Sequence, residues 1–251
     1  MQWVTGEDVA TTEQAAAEFI AVQLGHAVRQ RGRATLAVSG GRTPWAMFGR
    51  LAALDVAWAS VHLFQVDERI VPLDDEARNW KHLLATPLAA RIPAVQRHPM
   101  PVEVGDAGLA ATRYAATLRE VCGNPAVLDI VHLGLGDDGH TASLFSGDAL
   151  LGGETRDVGV SGPKSGTRRL TLTLPALDRA RCIVWLVLGA GRKEAVAQLF
   201  AAKRIRVAVQ HGEIGLFACR YRSDHRVHPD HPCRVDGDRA QRLRHADALC
   251  R

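Results

Sequence analysis

The sequence predicts an α/β fold: a mainly parallel sheet with helices on both faces and a small appended subregion. Three observations carry this. Short apolar runs at residues 35–38, 61–66, 129–133 and 182–189 read as buried strands. Segments of helical periodicity separate them, and that alternation yields a parallel sheet covered on both sides. Several of the strands end in glycine-rich or charged turns, where ligands bind in sheets of this kind.

The elements follow in order along the 251 residues, a length that suits one α/β domain or two small ones. Thr11 and Gln14 have the spacing of a capping box, and Phe19, Ile20, Leu24, Ala27 and Val28 recur on one helical face. Gly32 ends that helix. The strand TLAV (35–38) runs into Ser39-Gly40-Gly41-Arg42-Thr43-Pro44, where Thr43 suits a helix cap and Pro44 the first helical position. The strand VHLFQV (61–66) runs into Asp67-Glu68-Arg69. Helices are expected over 78–88 and 106–121. After the strand at 129–133, RLTLTL (169–174) alternates as an antiparallel or edge strand. CIVWLVLG (182–189) is a buried strand, followed by a helix over 192–200.

Composition narrows the function classes. No apolar run reaches membrane-span length, and the opening MQWVTGEDVATTEQ lacks a basic-then-apolar signal layout. The five cysteines, at 122, 182, 219, 233 and 250, show no tight paired spacing. Both features predict a cytoplasmic protein without a membrane partner. The net charge of +4 is unevenly spread: residues 201–251 carry 11 Lys/Arg against 6 Asp/Glu, whereas the rest carries 20 against 21. The body is therefore near neutral, which argues against a nucleic-acid partner.

The richest stretch is GLGDDGHTASLFSG, Gly134 to Gly147, at the end of a buried strand. Its glycines allow a tight turn close to a ligand. His140 is expected where turn becomes helix, so that the positive end of the helix dipole opposes protonation and leaves a neutral base near pH 7. Asp138, beside Asp137, can fix its tautomer. In SGGRTP, free backbone N–H groups ahead of a helix suit a phosphate. The loop from Asp67 to Asn79 places carboxylates and Arg69 at a strand end. Arg169 beside Arg168, and Arg192 with Lys193, offer cations to an anionic group.

With these motifs in order, residues 35–200 resemble the 6-phosphogluconolactonase family, on SGGRTP, VDERIVPLDDEARN, GLGDDGHTASLF and RLTLTLPAL. The resemblance implies a Rossmann-like sheet with a smaller appended part, and hydrolysis of 6-phosphoglucono-δ-lactone with no metal and no cofactor. The partner expected is a small sugar-phosphate lactone, and the protein is expected to be a monomer. It makes His140 the catalytic histidine, oriented by Asp138, with Asp67 also catalytic. It places Gly40, Gly41 and Thr43 near the sugar phosphate, and Glu68 and Arg69 at the cleft. Asn79 would close the loop structurally. Arg169 would be a phosphate or oxyanion partner, and either Arg192 or Lys193 would fill a further basic site.

The tail departs from the family pattern, and the domain is expected to end at 218, with 219–251 a poorly packed basic tail. A disordered tail, a metal site from His225, His228, His231 and Cys233, and an out-of-frame ending are alternatives. An amino-sugar-phosphate deaminase or isomerase is a rival function. It needs a second acid/base group soon after the histidine, where TASLFSG has no Glu. A sugar-phosphate sensor would bind without turnover. It usually carries a helix-turn-helix ahead of the sensor, for which the 34 or so residues before the first expected strand are too few. A catalytically inactive homologue is a further alternative.

Overall fold

A computed structural model describes residues 2–5, 8–41, 43–188, 195 and 215–221. The elements are β1 (Gln2–Thr5), α1 (Val9–Arg31), β2 (Ala34–Val38), α2 (Pro44–Ala52), β3 (Val61–Gln65), β4 (Asp67–Arg69), α3 (Asn79–Leu84), α4 (Pro87–Arg91) and β5 (Arg97–His98). They continue with α5 (Ala107–Cys122), β6 (Ile130–Leu133), β7 (Val158–Lys164), β8 (Thr167–Leu172), α6 (Leu174–Arg179), β9 (Cys182–Leu188) and β10 (Gly215–Tyr221).

Seven strands form one sheet in the order β1-β10-β9-β6-β2-β3-β5. The run from β9 to β5 is parallel, and β10 and β1 extend it antiparallel. Every residue of β2 and of β6 is buried, as a strand covered on both faces requires. Alternate side chains divide between two cores. Leu36, Val38, Leu63, Ile130 and Val184 pack with α1 and α2 through Ile20, Leu24, Phe48 and Leu51. Ala37, Phe64, Val131 and Ile183 pack on the other side with Tyr114 and Leu118 of α5 and Leu177 of α6. Helices thus cover both faces, as the alternation of elements predicts.

The appended subregion is a three-stranded antiparallel sheet, β4-β8-β7. One strand path feeds both sheets. β3 leaves the large sheet at Gln65, and after Val66 the chain enters β4. The Val66 N–H donates to Val38 O (3.0 Å), and Val66 O accepts from the Leu172 N–H (2.8 Å). This joint places Asp67-Glu68-Arg69 above the carboxyl end of β2.

Several expectations need correction. The first helix is capped by Asp8, which accepts from the Thr11 N–H at 2.7 Å; Thr11 lies inside the helix and Gln14 donates to Glu18 instead. The helix expected over 78–88 is two helices, because Thr86 before Pro87 is extended (ψ 150°), as residues preceding proline prefer. β8 is central in its sheet, flanked by β4 and β7, so the edge option fails and the antiparallel one holds. β1 precedes the first expected strand; four residues are too few to show a period. β10 runs through the boundary expected at 218. The rest of the tail, with its candidate metal ligands, and the helix over 192–200 apart from Ala195 lie outside the described residues. Among the described residues no helix is long and apolar enough to cross a membrane.

Candidate functional site

The carboxyl ends of β2 and β6 open into a cleft of about 360 Å³. Its first wall is the glycine turn after β2. Ser39 ties the turn to β6, its N–H and hydroxyl both donating to His132 O at 3.1 Å. Gly40 lies so close to Asn79 that a Cβ there would sit 2.1 Å from Asn79 Oδ1. No larger residue fits without moving the loop. Thr43 and Pro44 then start α2, and both line the cleft. The Thr43 side chain makes no capping hydrogen bond.

The second wall is the turn after β6. His140 O accepts from the Gly136 N–H (2.8 Å), and the Thr141 hydroxyl donates to Gly134 O (2.9 Å). The imidazole folds back over Gly136, where a Cβ would lie 2.2 Å from Nδ1. Nδ1 donates to Asp138 Oδ1, and Nε2 makes no hydrogen bond among the described residues. The second Asp138 oxygen accepts from Lys164 Nζ at 2.8 Å. Lys164, and then His140, hold the Asp138 carboxyl well below the usual carboxylate range. The other face of the imidazole meets Phe145, with ring centroids 4.7 Å apart. No helix follows: residues 141–147 form tight turns and a bridge between Thr141 and Leu144. The helix-dipole account of His140 is therefore wrong. The loop closes on itself through Thr141, and the group that acts on the ring is the Asp138 carboxylate.

The third wall comes from the small sheet. Asp67 is buried, and its Oδ2 accepts from the Ser143 hydroxyl at 2.6 Å. Arg69 and Arg169 are direct cross-strand partners between β4 and β8. Arg69 Nη1 donates to Ala77 O and to Asn79 Oδ1, both at 2.7 Å, and so fixes the loop between them. Arg169 Nε is buried without a hydrogen-bond partner among the described residues. Burial first, then the neighbouring Arg69 charge, lower the Arg169 pKa, and Asp67 opposes them. Two guanidiniums set opposite each other repel unless an anion lies between them.

The structure brings Gly40, Gly41, Thr43, Asp67, Arg69, His140 and Arg169 around one cleft, with Asn79 among them and Asp138 behind His140. Arg192 and Lys193 lie outside the described residues. Glu68 is a correction. It is fully buried, away from the cleft lining, and its carboxylate accepts from Gln65 Nε2 and the N–H groups of Arg69, Asn79 and Trp80, all at 2.8 Å. Buried Arg78 faces it at 3.4 Å. Glu68 latches the loop and is not free to touch a ligand. Asn79 does more than close that loop, since it packs against Gly40 and holds Arg69.

Three contributors are missing from the sequence reading. Ser143 fixes Asp67, Lys164 holds Asp138, and His132 lies in the cleft floor. Burial pushes the His132 pKa down to about 3, so the ring is neutral, edge-on to Phe48. Ser143 was visible inside the histidine motif. Lys164 sits in a hairpin 24 residues beyond His140, and no local pattern ties the two together.

A glycine turn, an Asp–His pair and an arginine pair around one cleft define an α/β enzyme of the class that acts on small anionic molecules. More particularly, the chain belongs to the glucosamine-6-phosphate isomerases/6-phosphogluconolactonase family, matched over residues 7–212. It is similar to the 6-phosphogluconolactonase of Synechocystis sp., 38% identical over 187 residues covering 72% of this chain and 78% of that protein. The 6-phosphogluconolactonase of Mycobacterium tuberculosis is 40% identical over 195 residues, covering 73% and 79%. The solved structure of a 6-phosphogluconolactonase from Shewanella baltica superposes with a TM-score of 0.69 at 30% identity, covering 77% of this chain and 83% of that one.

Proposed function

We propose that this chain hydrolyses 6-phosphoglucono-δ-lactone to 6-phosphogluconate, a step of the oxidative pentose phosphate pathway. Asp138 accepts from Nδ1 of His140, which fixes the tautomer with Nε2 as the free base. Nε2 takes a proton from water as the water oxygen bonds to the lactone carbonyl carbon. The tetrahedral intermediate then collapses, the bond from that carbon to the ring oxygen breaks, and His140 returns its proton to the departing oxygen. Asp67, pinned by Ser143, offsets the charge of the arginine pair. Arg169 receives the phosphate or the developing oxyanion.

The observation that carries this reading is the Arg69–Arg169 pair facing the same cleft as the Asp138–His140 pair. A paired imidazole supplies a base, and opposed guanidiniums ask for a strongly anionic ligand. The lack of a glutamate between Thr141 and Gly147 favours hydrolysis over ring-opening isomerisation. We further read the protein as a cytoplasmic monomer without a nucleic-acid partner, supported by its near-neutral body and scattered cysteines. The decisive assay follows lactone loss above the spontaneous rate. Hydrolysis that depends on His140 is expected. Ammonia released from glucosamine 6-phosphate, with no lactonase activity, would replace this reading by the deaminase.

A further inference from the structure

Lys164 ends β7, on a different sheet from the strand that carries the histidine turn. Its Nζ donates to Asp138 Oδ2 at 2.8 Å while Asp138 Oδ1 accepts from His140. The same ammonium lies 5.2 Å from the centroid of the Phe145 ring, which packs on the imidazole. Lys164 therefore touches both groups that fix the ring and has no need to enter the cleft, whose lining it does not join. We infer that Lys164 is a positioning residue that sets the basicity of His140 through Asp138, an inference resting on the reading of His140 as the base.

The sign follows from simple electrostatics. A carboxylate beside an imidazole favours the imidazolium and raises its pKa, and a cation on the far oxygen of that carboxylate opposes the effect. The low Asp138 pKa, with Lys164 as its first cause, agrees with this coupling. With Lys164 present, the carboxylate holds Nδ1 and the tautomer while its charge is shared with the ammonium on its other oxygen. The other charged groups around the ring do not supply this balance. Arg169 stacks on Phe145 (5.2 Å to that centroid) and contacts neither Asp138 oxygen, Asp67 is held by Ser143, and Arg69 is held by Ala77 and Asn79.

The test is the pH profile of kcat/KM for Lys164→Met, with Lys164→Gln as a second neutral variant and Lys164→Arg as the conservative one. The acid limb of both neutral variants should move up by about half a unit to one unit, the lower end expected for a partly exposed neighbouring charge. Lys164→Arg should restore the limb, and added salt should narrow the gap. The same upward shift should appear in the NMR titration of the His140 imidazole, which needs no turnover. That readout separates the two ideas: inactive protein with a shifted titration would sink the lactonase reading and leave the coupling intact. A uniform loss of activity with the acid limb and the NMR titration unmoved would make Lys164 merely structural and overturn the inference.

Discussion

The two sheets of this protein differ in what they spend their residues on. The large sheet is buried through its centre, with every residue of β2 and β6 buried. It contributes to the cleft the glycine turn after β2 and the histidine turn after β6, which carries the Asp138–His140 pair. The small antiparallel sheet is divided along each strand. β8 opens on exposed or half-buried Thr167, Arg168 and Arg169 and closes on buried Leu170, Thr171 and Leu172. It supplies the charge: Asp67, Arg69, Arg169 and Lys164. The lesson is a division of labour, with one sheet anchoring the position of the site and the other setting its electrostatics.

Substitutions can break or sharpen that contrast. The largest expected effect is at His140, where the walls meet: His140→Ala should lower kcat by ~10²–10⁴, the usual scale for a positioned acid/base group, with the melting temperature little changed. Near-normal turnover would refute the base. Next is Gly136→Ala, a backbone contribution of the large sheet. Its new Cβ would overlap Nδ1 of His140. Displacing the ring should cost about 10²-fold in kcat, as misplaced catalytic groups do, read by steady-state kinetics alongside circular dichroism.

Arg169→Ala tests the small sheet. It should lower kcat/KM while relieving the repulsion from Arg69, leaving the fold unchanged or more stable by roughly 0.2–1 kcal/mol, the scale of a cross-strand pair. A rise in KM alone assigns Arg169 to the phosphate; a fall in kcat assigns it to the oxyanion. A marked loss of stability would erase the contrast. Glu68→Gln reaches the same sheet from behind, on β4, and should act in the opposite sense. It removes the charge facing buried Arg78, and urea unfolding should show a loss of about 3–5 kcal/mol, since breaking one partner of a buried pair is costly.

A pH dependence of stability also belongs to the large sheet. Burial lowers the His132 pKa to about 3 and the His98 pKa to about 4. The folded protein therefore binds fewer protons than the unfolded chain once the pH falls below about 6.5, the ordinary histidine value. Stability is fully present above that value, declines on acidification, and levels off only near pH 3–4. Thermal melts should show this slope, and His132→Leu should flatten part of it without changing the pH profile of activity.

The same contrast explains what the sequence revealed. The strands of the large sheet were readable because burial on both faces demands continuous apolar runs such as TLAV and CIVWLVL. The glycine turn and the histidine turn were readable because their chemistry is packed into a few consecutive residues. The small sheet was only half visible. RLTLTL betrays β8, but its partner β4 is three charged residues a hundred or more positions earlier. Charged triplets read as loop, so pairing Arg69 with Arg169 needed the fold. Glu68 was misread for the same reason: beside two cleft residues it looked like a third, whereas strand alternation turns it inward to latch the loop. Lys164 and His132 carried no local signature, since one acts across a hairpin and the other looks like any polar residue in a strand.

The joint at Val66 has a mechanical consequence. One uninterrupted stretch of chain runs along the floor of the large sheet and becomes the rim of the small one, clamped on both sides by backbone hydrogen bonds to Val38 and Leu172. The distance from the glycine turn to the arginine pair is therefore a fixed gauge, alterable only by tearing that clamp. Among the described residues the backbone joining these two walls is strand clamped to strand, so a ligand is measured by its own length rather than gripped by a closing jaw. A molecule one carbon shorter, with the same charge at one end and the same carbonyl at the other, is expected to bind more weakly, a rise in KM that steady-state kinetics would read.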